Sequence, residues 1–302
     1  MIKHEEHIHS DNGSSLQEDL TAKKTKEPKA PLSKKKKIIK YFIFTLLGII
    51  VLVHLIHAVT LDRIVLYREI TFTSTCIPEE MDGYTIAFLT DLHADTGRRL
   101  SGIVQELDGR QLDLLLLGGD FTFDKNDVEN TMDLLAQIHT RDGVFGVEGN
   151  HDDYQLLFPA MEAHGFTPLS NSGVYLRDGF FIAGVEDLWN RSPDIATATA
   201  NASDDSFILL LSHNPDVTMT QDTSHVNLTL SGHTHGGQFN IFDRISIGLD
   251  TRVISDYGNR FKGGWARSRD NTPVYVCNGV GEYYPRVFAR PEVTIITLVH
   301  EH

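Results

Sequence analysis

Residues 84–93 read YTIAFLTDLH, an apolar run that stops on an acid and a histidine. The run has the length and composition of a buried strand, and Asp91 and His93 arrive where it ends. The pattern recurs along the chain. LDLLLLGGD (112–120) delivers Asp120, and GVFGVEGNHD (143–152) delivers Asn150, His151 and Asp152. FILLLSH (207–213) delivers His213, and VNLTLSGHTH (226–235) delivers His233 and His235. Strands are predicted at 64–74, 84–90, 112–118, 143–148, 179–185, 206–212, 226–231, 273–278 and 293–299. Helical patterns fall at 97–108, 126–139, 153–164 and 214–221, with Asp127 or Asn126 as a cap for the second and Asn214-Pro215 opening the last. Strand–helix alternation of this kind predicts an α/β domain. In open α/β sheets ligands gather at the carboxyl ends of strands, so the five segments are expected to converge on one sheet edge.

The residue types fix the chemistry expected there. Carboxylate, imidazole and amide donors suit Mn, Fe, Zn or Ni rather than a soft thiolate site. Two cysteines in 302 residues exclude a four-cysteine zinc or iron–sulfur centre. A pair of divalent ions needs a bridging carboxylate, and Asp120 is the natural bridge because Gly118-Gly119 lets the backbone turn tightly before it. Water held between two cations loses a proton near neutral pH and becomes a nucleophile. Taken singly, each motif has a bland alternative: a chance DxH, a turn, or a solvent-facing histidine pair. Five in succession, each at a strand end, do not.

DLH, GGD, GNHD, SHNPD and GHTHGGQ resemble the five motifs of the calcineurin-like metallophosphoesterase superfamily. GHTHGGQ and the tail NGVGEYYPRVFARPEVTIITL are similar to its membrane-associated or exported bacterial branch. The resemblance covers about residues 64–299 and implies a four-layer α-β-β-α sandwich with the site at the sheet edges. It further implies that Asp91, His93 and His235 hold one metal, that Asn150, His213 and His233 hold the second, and that Asp120 bridges them. His151 would act on the leaving oxygen, and Asp152 would orient His151 and raise its pKa. Relatives with a tyrosine iron ligand would carry it where this chain has Phe123, which cannot coordinate. Arg98 or Arg99 is expected either to reach a substrate phosphate or to lie solvated in a first helical turn. Asn278, with the loop through Tyr283, is expected to border the pocket.

Ahead of this domain, Lys34-Lys35-Lys36-Lys37 runs into an apolar stretch from Ile38 to Leu61, long enough to cross a bilayer as a helix. Residues 1–37 are expected to form a disordered basic tail in which His4, His7 and His9 are solvated. Residues 38–61 are expected to be an uncleaved signal anchor, with His54 and His57 interfacial, and residues 62–302 the catalytic domain. The lysine excess before the span places the tail in the cytoplasm and the domain outside. Residues 1–40 hold ten Lys and six Asp or Glu, net +4, which leaves net −18 on the rest. So acidic a body repels phosphate backbones and excludes general nucleic-acid binding. Cys76 and Cys277 could pair, which spacing alone does not decide.

The expected protein is therefore a membrane-anchored dinuclear phosphoesterase, in first place a phosphodiesterase, using two divalent ions on a small-molecule or lipid/envelope phosphoester. Two alternatives stand beside it: a pyrophosphatase acting on a nucleotide-sugar lipid precursor, and a catalytically silent, metal-stabilised sensor or scaffold.

Overall fold

The computed structural model describes residues 33–94, 98–247, 254–281 and 285–302. The tail with His4, His7 and His9, part of the 94–99 lip, residues 248–253 and Tyr283 lie outside the described residues. The chain divides into two units, Met1–Leu47 and Gly48–His302. Helix α1 (Lys34–Val59) has no buried residue, and it is long and apolar enough to cross a membrane. It begins within the lysine block and ends slightly before the expected limit at Leu61.

The second unit contains two six-stranded mixed sheets. The first runs β1 (Leu66–Ser74), β14 (Glu292–His300), β2 (Thr85–Leu89), β3 (Leu114–Leu117), β4 (Val144–Gly146) and β5 (Thr167–Pro168). The second runs β12 (Gly264–Arg267), β13 (Pro273–Val276), β9 (Leu228–Ser231), β8 (Phe207–Leu211), β7 (Phe180–Gly184) and β6 (Ser172–Arg177). A separate short hairpin joins β10 (Asn240–Ile241) to β11 (Ile245–Ser246).

Alternation along the strands builds the layers. Ile86 and Phe88 of β2 point into the core between the sheets, where they meet Phe207, Leu209 and Leu211 of β8 and Leu228 and Leu230 of β9. Ala87 and Leu89 face the other way, toward α2 (Arg98–Asp108), α3 (Val128–Leu135) and α4 (Tyr154–Ala163). On the far side Phe181, Ala183, Ile208 and Leu210 pack against α5 (Ile195–Thr199) and α6 (Val217–Thr220). This is the expected α-β-β-α sandwich.

The departures are local. Edge strands β6 and β12 carry too little apolar alternation to read as strands, and each is held by antiparallel pairing with an inner neighbour. The helices at 126–139 and 214–221 are shorter than predicted. The α3 region opens through a 3₁₀ turn capped by Asp124, which accepts from the Asn126 amide at 2.9 Å; Asp127 stands at the N-cap of α3 itself, but its side chain makes no capping hydrogen bond. Cys76 is exposed and Cys277 buried in the inter-sheet core, and both are free thiols.

Candidate metal centre

Strands β2, β3 and β4 run parallel in one sheet, and β8 and β9 run parallel in the other. The five motif segments therefore leave their strands at corresponding ends. They converge from two facing sheets rather than along one edge, which corrects the single-edge expectation. Asp91, His93, Asp120, His233 and His235 all adopt positive φ, between 42° and 70°. Non-glycine residues in this region store strain and cluster at functional sites. Here the kink turns each side chain from the strand end into the cleft. Gly119, at φ 91°, packs so closely on the next loop that a Cβ would stand 2.5 Å from the Gly149 nitrogen.

The seven expected ligands come together in two sets that share Asp120. In the first set one carboxylate oxygen of Asp91, one of Asp120 and a ring nitrogen each of His93 and His235 lie within 4.8 Å of one another. The Nε2 atoms of His93 and His235 face each other at 3.2 Å. Two ring nitrogens approach so closely only with a proton or a cation between them. In the second set Asn150 Oδ1 lies 3.1 Å from His213 Nε2 and 2.8 Å from His233 Nδ1. Asp120 Oδ2 faces both sets, 3.5 Å from His93 Nε2 and 3.4 Å from His213 Nε2.

The outer ring nitrogens are fixed by carbonyls. His213 donates from Nδ1 to the Gly118 carbonyl (2.7 Å), and His233 donates from Nε2 to the Ile254 carbonyl (2.9 Å). A carbonyl only accepts, so each outer nitrogen carries a proton, and in the neutral ring the inward nitrogen holds the lone pair that metal ligation requires. Burial lowers His93 to about 4 and His233 to about 3, which keeps both neutral. Burial likewise works against charging His213, but the carboxylates of Asp120, Asp91 and Asp187 override it and push its pKa up to about 10. Burial, with Asp120 beside it, raises Asp91 to about 6. Crowded carboxylates and inward lone pairs in so dry a site are the electrostatic signature of a cation site, and the donor set fits divalent ions.

His151 stands exposed at the rim. Its backbone amide donates to Asp120 Oδ1 at 2.8 Å, and its ring meets His93 edge-on at 5.3 Å between centroids. Asp152 departs from expectation. Its Oδ2 accepts from the amides of Gly149 and Asp120, both at 2.8 Å, and its Oδ1 from the amide of Phe121 at 2.9 Å. The carboxylate is thus bonded to backbone, not to the His151 imidazole. It clamps the Asp120 turn to the Gly149 turn. Sequence adjacency suggested a pairing that the direction of the side chain does not make.

Phe123 stacks on His93 at 4.2 Å, and Trp189 sets its edge against His233 at 4.5 Å. Both rings remain about half exposed and flank a cleft of about 150 Å³ lined by His93, Asp120, Asn150, His151, His233 and His235. Arg99 donates to the Val280 carbonyl at 2.8 Å and so serves as a tether for that loop rather than a solvated side chain. Asn278 begins a loop that borders the site as expected: Gly281 donates to the Asp91 carbonyl at 2.7 Å.

Several site residues escaped sequence reasoning. Arg286, fully buried, donates to the Asn278 carbonyl at 2.8 Å and to His235 Nδ1 at 3.1 Å. It sits in an irregular loop with no strand before it, so no local signal marks it. Asp187 is different. It follows strand β7 as the other acids follow theirs, and it organises the Trp189 and Asn190 amides at 2.9 and 2.8 Å. Asn190 in turn donates to the Asn150 carbonyl at 2.6 Å.

Comparison with known proteins identifies the family. The family model for calcineurin-like phosphoesterase matches residues 84–237. The chain belongs to this family. It is a metal-dependent phosphoric ester hydrolase. The chain is similar to the uncharacterized metallophosphoesterase YkuE of Bacillus subtilis, 31% identical over 76% of this chain and 84% of that one. The phosphodiesterase YaeI of Escherichia coli is 30% identical over 72% of this chain and 82% of its own. A transmembrane protein with metallophosphoesterase domain from Danio rerio is 28% identical over 74% of this chain, which spans 54% of that protein.

Proposed function

We propose that this protein is a membrane-anchored dinuclear phosphodiesterase whose catalytic domain lies outside the cytoplasm. Asp91, His93 and His235 would hold one divalent ion, Asn150, His213 and His233 the other, and Asp120 both. The observation that carries the proposal is Asp120 Oδ2 facing a ring nitrogen of each set at 3.5 and 3.4 Å. When bound, the ions supply Lewis acidity toward the phosphoryl oxygens and lower the pKa of water.

The chain's own residues supply the rest. Hydrolysis breaks a P–O bond, transfers hydroxide from water to phosphorus and requires a proton on the departing oxygen. The exposed imidazole of His151, whose backbone amide donates a hydrogen bond to Asp120 Oδ1 beside the cleft, would give that proton. Asp152 keeps the Asp120 and Asn150 turns in register. The carbonyls of Gly118 and Ile254 hold His213 and His233 in the ligating tautomer. Phe123 and Trp189, against His93 and His233, would flank a bound ester. Support for a diester comes from the similarity to a named phosphodiesterase. Support for the membrane comes from α1 and the lysines at its start.

The test is hydrolysis of bis-p-nitrophenyl phosphate and p-nitrophenyl phosphate by the full chain in detergent with Mn²⁺, with and without chelator. Chelator-sensitive turnover favouring the diester is expected. Preference for the monoester would overturn the diesterase assignment. Failure to cleave either, with two metals bound per folded chain, would favour a silent scaffold.

A further inference from the structure

Beyond α1, the hairpin β10–β11 and its flanks gather a cluster of exposed apolar side chains among the described residues. Phe239, Ile241, Phe242, Ile245 and Ile247 each leave 43–52% of their surface uncovered. A soluble domain does not ordinarily present such a cluster without an occupant for it. The position of the hairpin identifies the occupant. The Phe242 ring lies 4.6 Å from the ring of His54, and Phe288 lies 5.0 Å from His54 and stacks on His57 at 3.9 Å. His54 precedes the helix end at Val59 by five residues, which at the α-helical rise is about 7.5 Å along the axis. Phe242 is therefore level with a part of the helix well inside its apolar run.

This placement is fixed by polar contacts. Asp62, fully buried just after the helix, accepts from His57 Nδ1 at 2.7 Å and from the amides of Phe288 and Ala289 at 2.9 and 3.1 Å. The same loop pairs with the root of the hairpin, where the Asn240 amide donates to the Val287 carbonyl at 2.9 Å. The exit of the helix, the 286–289 loop and the hairpin are thus joined. Arg244 is exposed at the hairpin turn, and Lys262 bonds Asp243 beside it at 2.8 Å. Arg244 would stand at the level of lipid phosphates if the neighbouring side chains entered the acyl boundary, while Lys262 neutralises Asp243.

We propose that the β10–β11 hairpin is a second membrane contact, seated about 5–10 Å into the lipid interface beside the exit of α1. The proposal rests on the reading of α1 as membrane-spanning. Its consequence for function is positional. The hairpin begins five residues after His235, so the segment that carries two metal-site histidines is moored to the leaflet at a fixed height, suited to a phosphoester carried by a lipid.

The test uses the full chain with Cys76→Ser, reconstituted in vesicles of phosphatidylcholine and phosphatidylglycerol. Single cysteines replace Phe242 or Ile245 and carry a nitroxide; Cys277 is buried and stays unlabelled. Leu47→Cys within the helix and Asp178→Cys on an exposed turn give the lipid and aqueous references. Accessibility to oxygen and to a water-soluble nickel chelate is read by power saturation. At Phe242 and Ile245 the nickel accessibility should fall about fivefold or more below Asp178, with oxygen retained, as for a shallow lipid site. Nickel accessibility equal to Asp178, with Leu47 in lipid, would overturn the proposal and leave the spanning helix standing. Aqueous behaviour at Leu47 as well would overturn both. Shielding from both reagents with spin–spin broadening would assign the patch to a second copy of the chain and overturn lipid contact.

Discussion

Replacing Asp152 with alanine removes the acceptor of three amides at once, those of Gly149, Asp120 and Phe121. All three residues are buried. A buried donor left without a partner costs about 1–3 kcal/mol. Water can enter from the cleft and relieve part of this, so a total of about 3–6 kcal/mol is expected for three. That is a large share of the roughly 5–15 kcal/mol that holds an ordinary domain together, and it corresponds to a fall in Tm of about 10 °C or more. Asp152→Asn keeps one acceptor oxygen but sets an amino group against at least one amide, so its loss should be smaller, about 1–2 kcal/mol. His151→Ala leaves the clamp intact and should melt like the parent. The assay is thermal unfolding of the full chain in detergent, followed by near-UV circular dichroism, with metal content measured on the same samples. The expected order of stability is parent and His151→Ala together, then Asp152→Asn, then Asp152→Ala, with metal lost in the last. If Asp152→Ala instead melted like the parent, kept its metals, and lowered turnover in the parent background but not further in His151→Ala, the carboxylate would be acting through the imidazole and the clamp assignment would be wrong.

His151→Ala should retain full metal content while turnover drops about 10²–10⁴-fold; an unchanged rate would remove His151 from the chemistry. Gly149→Ala would set a Cβ 2.2 Å from Asp120 Oδ1, so the shared carboxylate must move, and elemental analysis should find fewer than two metals per chain; a full complement would contradict the bridging role. Burial raises the pKa of Asp142, but the Tyr84 hydroxyl at 2.8 Å, Arg177 and Arg141 outweigh it and hold the carboxyl below its ordinary 3.8. A carboxyl depressed in the folded state stabilises above its unfolded pKa and loses that contribution as pH falls through the folded one. The stability gap between the parent and Asp142→Asn should therefore be constant above about pH 5 and close on further acidification, as denaturant titrations across pH would show; a gap independent of pH would refute the assignment.

Much of this molecule was legible in local sequence because its decisive features are local. A strand such as YTIAFLT declares itself by apolar content, and its terminal Asp91 and His93 stand within a few residues of it. The same holds for Asp120, Asn150, His213, His233 and His235, and for the apolar run of α1. Strands β6 and β12 were not legible, because their pairing partners rather than their own alternation hold them.

The sequence by itself determined the strand ends, the ligand types placed on them and the segment fit to cross a membrane, since each depends on side-chain period and backbone preference over a handful of residues. Tertiary structure alone decided which sheet each ligand comes from, and that Asp152 turns from its neighbour His151 to amides about 30 residues away. It also decided that Arg286 reaches His235 from 51 residues along the chain, and that the hairpin lies against His54. These are matters of direction between distant loops. Hydrogen-bond geometry and close packing choose such partners only after the two sheets have closed on their common core.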